Sequence, residues 1–357
     1  MINIFSEVSA IEEIFDSGEY PNWKKIIGTQ ANIYLNIDQA TLDRELEGDD
    51  NEESFLFLLY HENDAIKRPS AFGDQFQFAD NTATMVDHPF GIFILDIDED
   101  KANELGSQYG IQIYSSRKLS DIQDFEIDFD FEKDELIQCK DGVLKGYGFV
   151  LNSFKSERSN STVIVDRNLF SNEERTENVG VANMVRYFDC ILPDVLLASF
   201  DILFVLESSR KFENETFRLR IVKNITDSIQ KLRGYSINVE ILLVHRSTVI
   251  FEHTHQRRIL KNYHFGNSEH GFAIFSVSNQ KKIRNDNDFN LQAQYHSLLN
   301  TMPRITSDKK HSKLIKRLTE IRIEAERQLD KQGQNDRYYR LYLNGTESAL
   351  IVNRLLN

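Results

Sequence analysis

Cysteine is nearly absent from this chain of 357 residues: there are two, Cys139 and Cys190, far apart and without metal-ligand spacing. That excludes a disulfide framework and fits a reducing, cytoplasmic compartment. Proline (5) and glycine (16) are scarce, which argues against long linkers and low-complexity tracts and for extended regular elements. No apolar run approaches the roughly 20 residues needed to cross a bilayer, so no membrane span is expected. The opening MINIFSEVSAIEEIFDSGEY is acidic and lacks the basic start of a secretory signal. The N-x-S/T triplets at Asn160, Asn214, Asn224 and Asn344 therefore carry no glycosylation meaning.

Phenylalanine (25) and tyrosine (13) are abundant, enough for a sizeable core, and the length suggests two domains. The net charge of −14 is unevenly spread. Acids crowd the first half, at 43–53, 96–100 and 121–135. Bases gather after Arg210, among them Arg257, Arg258, Lys281, Lys282, Arg284, Lys313, Lys316 and Arg317. This balance speaks against a general nucleic-acid binder and leaves room for a basic face on the second half.

The apolar spacing over residues 4–17 predicts a helix. Asn32 to Ile37 reads as a strand, Gln39 to Asn51 as a polar helix, and Ser54 to Tyr60, continuously apolar, as a buried strand. Phe90 to Leu95, Asp98 to Gln108 and Gly110 to Ser115 form a β-α-β unit, with first-turn acids favoured by the helix dipole and Gly110 as the stop. The alternation of 121–135 fits a half-exposed strand or a connector. Asp38, Asp96, Asp98 and Asp100 cluster as carboxylates of a Mg²⁺-dependent nuclease of the PIN type would, but the favoured reading is helix-capping acids after strands.

Beyond Ser159 strands and helices alternate. Strands are expected at Thr162 to Val165 (ending in Asp166-Arg167), Phe200 to Leu206 and Ser236 to Val244, with helices at Asn178 to Leu192 and Glu215 to Arg233. This predicts an open sheet flanked by helices. A strand-loop-strand follows over Thr248 to Tyr263, then a strand at Gly271 to Ser276 and a helix at Phe289 to Leu299. A long helix runs from Thr306 to about Lys331 with Leu314, Leu318, Ile321 and Ala325 on one stripe. Asn344-Gly345 marks a hairpin.

The stretch Thr248 to Ser276 holds four of the nine histidines, His253, His255, His264 and His270, with His245 just upstream. Within it, His255-x-Arg257-x4-Asn262 has the spacing of the H-x-K-x4-D motif, with Arg for Lys and Asn for Asp. Over roughly residues 160–276 the order of strands and helices resembles the phospholipase D-like fold. It is similar in particular to the phospholipase D-like domains at the C-terminus of MIT-domain proteins, which carry a related His-x-Arg element and act in binding. The expected class is α/β throughout: the β-α-β unit gives an acidic α/β domain of unknown type over 1–155, the long helix and the hairpin over 301–357 pack on the second domain, and the resemblance implies a phospholipase D-like sheet domain over 156–300. It also implies His255 as nucleophile or acid, Arg257 as phosphate clamp and Asn262 in place of the ring-orienting acid. Arg258, Lys261, His253 and Asp166 complete the expected phosphate-binding set. No cofactor or metal is expected. A zinc reading of His253-x-His255, with Glu252 or Glu269, lacks a recognised ligand spacing.

Two principal readings follow. One is a module that grips a nucleic-acid backbone or a protein partner subunit, set in bacterial nucleic-acid processing such as antiviral defence. The other is a metal-independent phosphodiesterase or nuclease centred on His255; a second motif is then required, and a homodimer supplies it. A third reading places a Mg²⁺-dependent nuclease in the first domain.

Overall fold

The computed structural model describes residues 2–29, 31–47, 54–61, 67–72, 82–121, 126–128, 158–170, 173, 178–245, 257–268, 272, 294–297, 305–329 and 339–357. The chain is α/β and divides into two compact units, 1–126 with 297–309 and 127–296 with 310–357.

The first unit is built on strands β1 (Ile2–Ser6), β2 (Ala31–Leu35), β3 (Ser70–Ala71), β4 (Gly91–Leu95) and β5 (Gln112–Ser115). All pair in parallel, in the order β3-β2-β1-β4-β5. Helices α1 (Val8–Asp16), α2 (Pro21–Thr29), α3 (Gln39–Glu47), α4 (Phe55–His61), α5 (Thr82–Val86) and α6 (Glu99–Tyr109) make the connections. Each residue of β4 is buried, as a strand covered on both faces requires. Phe5, Phe93, Leu95 and Ile113 pack with Met85 of α5 and Ala102 and Leu105 of α6. Tyr114, the neighbour of Ile113 and therefore on the opposite face, meets Trp23 of α2 edge-on at 5.2 Å. The predicted β-α-β unit forms as β4-α6-β5, and Gly110 closes α6 in the left-handed region at φ 66°.

Two expectations are corrected here. The helix expected over 4–17 starts only at Val8; Ile2–Ser6 is the central strand, whose adjacent buried residues Ile4 and Phe5 face opposite layers and mimic a helical run. The expected strand at 54–60 is instead α4. Leu56 and Leu59, three apart, are buried, Leu58 is exposed, and the Ser54 hydroxyl accepts the Phe57 N–H at the start. A short apolar run reads alike in either state.

In the second unit, β7 (Ser161–Val165), β8 (Phe200–Glu207) and β9 (Ile237–Val244) are parallel and joined through α7 (Val179–Ile191), the short α8 (Arg210–Glu213) and α9 (Glu215–Gln230). The remaining strands are β6 (Glu126–Asp128), β10 (Arg257–Lys261), β11 (His264–Ser268), β12 (Gln294–Ser297), β13 (Tyr339–Leu343) and β14 (Thr346–Ser348). The sheet order is β14-β13-β9-β8-β7-β10-β11-β12-β6. β10 runs antiparallel to β7, and β13 antiparallel to β9. The helix expected over 289–299 is corrected in its described part: 294–297 is strand β12.

Alternation sorts the residues of this sheet into two layers. Ile164, Phe204, Ile241 and Ile259 pack with Met184, Phe188, Ile221 and Ile225 of α7 and α9. On the opposite face, Glu240 of β9 accepts the Val352 N–H at 2.7 Å, and Asn353 reaches Ser161 and the Thr162 carbonyl. The 3-10 turn Arg354–Leu356 lies against β7, with Arg354 paired to Asp201 at 3.3 Å. Helix α10 (Ile305–Leu329) buries the expected stripe Leu314, Leu318, Ile321 and Ala325, and its Arg322 donates to the Leu356 carbonyl. The β13-β14 turn has Asn344 at φ 49° and Gly345 at φ 86°, the double positive-φ turn that the Asn-Gly pair predicts. Cys190 forms no disulfide among the described residues. No described helix is long and apolar enough to cross a membrane.

Candidate functional site

In open α/β sheets, ligand sites form beyond the carboxyl ends of the parallel strands. In the second unit those ends carry Asp166-Arg167 after β7, Glu207 closing β8 and His245 after β9. Asp166 is 2% exposed. Its carboxylate accepts the Asn168 N–H at 2.9 Å and the Phe272 N–H at 3.3 Å, the first closing a tight Asx turn at the strand end.

The register sets Arg258 of β10 opposite Val165, so Arg257 arrives level with Asp166. The Arg257 Nε lies 3.6 Å from Asp166 Oδ1, and its side chain keeps 18% exposure. Burial pushes the Asp166 carboxyl above the ordinary carboxylate range, while the backbone donors and the Arg257 charge pull it back down. A buried carboxylate beside a guanidinium holds that guanidinium in one orientation. Next to this pair Arg167 donates to Glu207. Glu173, buried, accepts the Gly180 and Val181 N–H groups at the start of α7. Gly180 is required there: a Cβ would strike the Leu169 carbonyl and lie 2.8 Å from Phe170. Glu207 and Glu173 escaped sequence reasoning. Glu207 is the last residue of an otherwise apolar strand, a signal that could have found it.

The structure separates the expected site residues. Arg257 and Asp166 come together, which sets Asp166 beside the Arg257 guanidinium; its expected place in a phosphate-binding set is corrected on charge, since an acid does not attract phosphate. Asn262 is corrected as well. It lies beyond the other end of β10, where Oδ1 accepts the Asn160 and Ser161 N–H groups at 3.1 and 3.0 Å and the Ser159 hydroxyl, while Nδ2 donates to Asn160. It fastens the start of β7 and does not share the end that holds Arg257. Lys261 is 1% exposed and so is removed from any surface phosphate. Arg258, next to Arg257, projects to the opposite face of the sheet. His253 and His255 lie outside the described residues, as does the Gly271 to Ser276 strand apart from Phe272.

In the first unit, Asp38 caps α3, accepting the Thr41 N–H at 2.8 Å and its hydroxyl at 2.7 Å, and these bonds lower its pKa. Arg117 pairs with Asp96 at 2.6 Å and with Asp98 at 3.1 Å. Glu7, at the end of β1, is raised by partial burial and by Asp96, against a hydrogen bond from Asn36. Among the described residues no three His, Cys, Asp or Glu side chains converge as a metal-binding group.

No family model matches the chain, and neither the curated proteins nor the solved structures yield a match.

Proposed function

We propose that the second unit is a phospholipase D-like module that grips a phosphodiester through Arg257. The observation that carries this reading is the Arg257–Asp166 pair at the carboxyl end of β7. Support comes from the placement of β10 beside the parallel core and from the guanidinium itself, a fork suited to two phosphate oxygens. Asn262 spends its hydrogen bonds on the backbone of β7, and Arg replaces Lys in the motif; both favour binding over phosphoryl transfer. The setting is nucleic-acid processing in a bacterial cell.

The test is phosphodiesterase and nuclease assay of the wild type beside His255→Ala, with EDTA and with Mg²⁺, together with calorimetric titration of a thymidine dinucleotide. The reading expects dinucleotide binding that Arg257→Ala abolishes, without turnover. EDTA-resistant turnover abolished by His255→Ala replaces it with a phosphodiesterase. Turnover that needs Mg²⁺ and ignores His255 moves the chemistry to the first unit.

A further inference from the structure

Adjacent residues of a strand face opposite sides of the sheet, so Arg257 and Arg258 serve different surfaces. Arg258 lies on the side of α10 and is half-buried. Burial lowers the basicity of Arg258, and a second guanidinium close by, Arg317 of α10, lowers it further. Neither arginine has an ion pair or side-chain hydrogen bond among the described residues. The contrast along α10 is sharp. Its second half neutralises itself through Arg322–Glu326 and Arg327–Glu324, whereas Lys313, Lys316 and Arg317 have no acidic partner among the described residues.

Two guanidiniums held together in a partly desolvated place repel each other, and neither can escape by losing a proton, since arginine stays charged at any physiological pH. A bound anion removes that cost. The spacing says what kind. Lys313, Lys316 and Arg317 stand at i, i+3 and i+4, one face of the helix, and at about 1.5 Å per residue the row spans roughly 6 Å before Arg258 extends it onto the sheet. A row of cations matches an extended polyanion rather than one compact phosphate.

We infer that Arg258, Arg317, Lys313 and Lys316 form a second anion-binding surface, on the face of the sheet opposite Arg257, that carries the sugar-phosphate backbone of a nucleic acid without reading its bases. Phosphate contacts position a strand and supply affinity irrespective of sequence. This surface stands independently of the Arg257 clamp.

The experiment measures anisotropy of a fluorescein-labelled single-stranded oligonucleotide of about 20 nucleotides across a salt series, with sites of this type covering roughly 4–16 nucleotides. The full chain, Arg258→Ala/Arg317→Ala, Arg258→Lys/Arg317→Lys and Arg257→Ala are compared, and the dinucleotide titration is repeated on each. The double alanine variant is expected to lose roughly 10-fold in oligonucleotide affinity and to flatten the log–log salt slope by about 1.4, at about 0.7 per lost contact. The double lysine variant keeps the slope, and dinucleotide binding at Arg257 is unchanged in both. Melting of the free double alanine variant is unchanged or higher, because repulsion is relieved. Unaltered affinity and slope in the double alanine variant overturn the inference and leave the Arg257 reading standing. The converse result, dinucleotide binding absent but the salt slope sensitive to Arg258 and Arg317, removes the clamp and keeps this surface. A lower melting temperature of the free double alanine variant also overturns it, by showing a structural role for the pair. So does binding to phosphatidylserine vesicles with no binding to the oligonucleotide, which assigns the surface to a membrane.

Discussion

Glu240 offers the sharpest energetic test of the second unit. It sits on interior strand β9, fully buried, with Oε1 accepting the Val352 N–H at 2.7 Å and Oε2 without a partner. Burial drives its pKa from 4.5 to about 8; Asp201 and Glu326 add to the rise, and the Val352 and Asn353 N–H groups oppose it. Near neutrality the folded protein therefore holds Glu240 protonated while the unfolded chain holds it ionised. Because the folded pKa is the higher one, the stabilisation is complete below pH 4.5 and is lost as pH rises to about 8. Over that window wild-type stability should fall by about 1.4 kcal/mol per pH unit from this residue, accumulating to about 5 kcal/mol. Glu240→Gln keeps the acceptor for Val352, cannot ionise, and buries an extra donor at a cost of about 1–3 kcal/mol. Below pH 5 the variant should thus be the less stable protein, and above pH 8 the more stable one. Urea unfolding of both proteins at intervals from pH 5 to 9 measures the difference. A stability difference that stays constant with pH, or that grows in favour of the wild type as pH rises, refutes the argument.

Other outcomes follow from the same packing. Gly180→Ala should cost roughly 2–3 kcal/mol by forcing a methyl group against the Leu169 carbonyl, read as a lower urea midpoint with unchanged m value. Asn262→Ala strands two buried N–H groups at the head of β7 and should cost about 3 kcal/mol; protection of the Asn160 and Ser161 amides in hydrogen exchange should fall with it. Gly345→Ala places a Cβ at φ 86° and should cost about 1–2 kcal/mol by thermal melting, with no effect on ligand binding.

Much of the fold is readable where a pattern is long or punctuated. The β4-α6-β5 unit declares itself through first-turn acids and Gly110, the second sheet through its regular alternation, and α10 through the stripe from Leu314 to Ala325. Short apolar runs defeat the same reasoning. Ile2–Ser6 and Phe55–His61 each have too few residues to separate a period of 2 from one of 3.6, and burial by neighbouring layers decides them. The site was legible only in part. Asp166 and Arg257 were both singled out, but their pairing depends on the register of β10 against β7, which no local pattern encodes. The same register carries Asn262 to the far end and turns Arg258 to the other face. Glu240 gave no local signal: one acid within SINVEILLV resembles an exposed strand position until Val352 is seen to cover it.

The most direct test of the central claim is calorimetric titration of the thymidine dinucleotide into wild type, Arg257→Ala and Asp166→Asn. Loss of binding in the first variant is predicted, with roughly 10-fold weakening in the second, whose neutral amide no longer anchors the guanidinium. Dinucleotide affinity that survives Arg257→Ala unchanged contradicts the account.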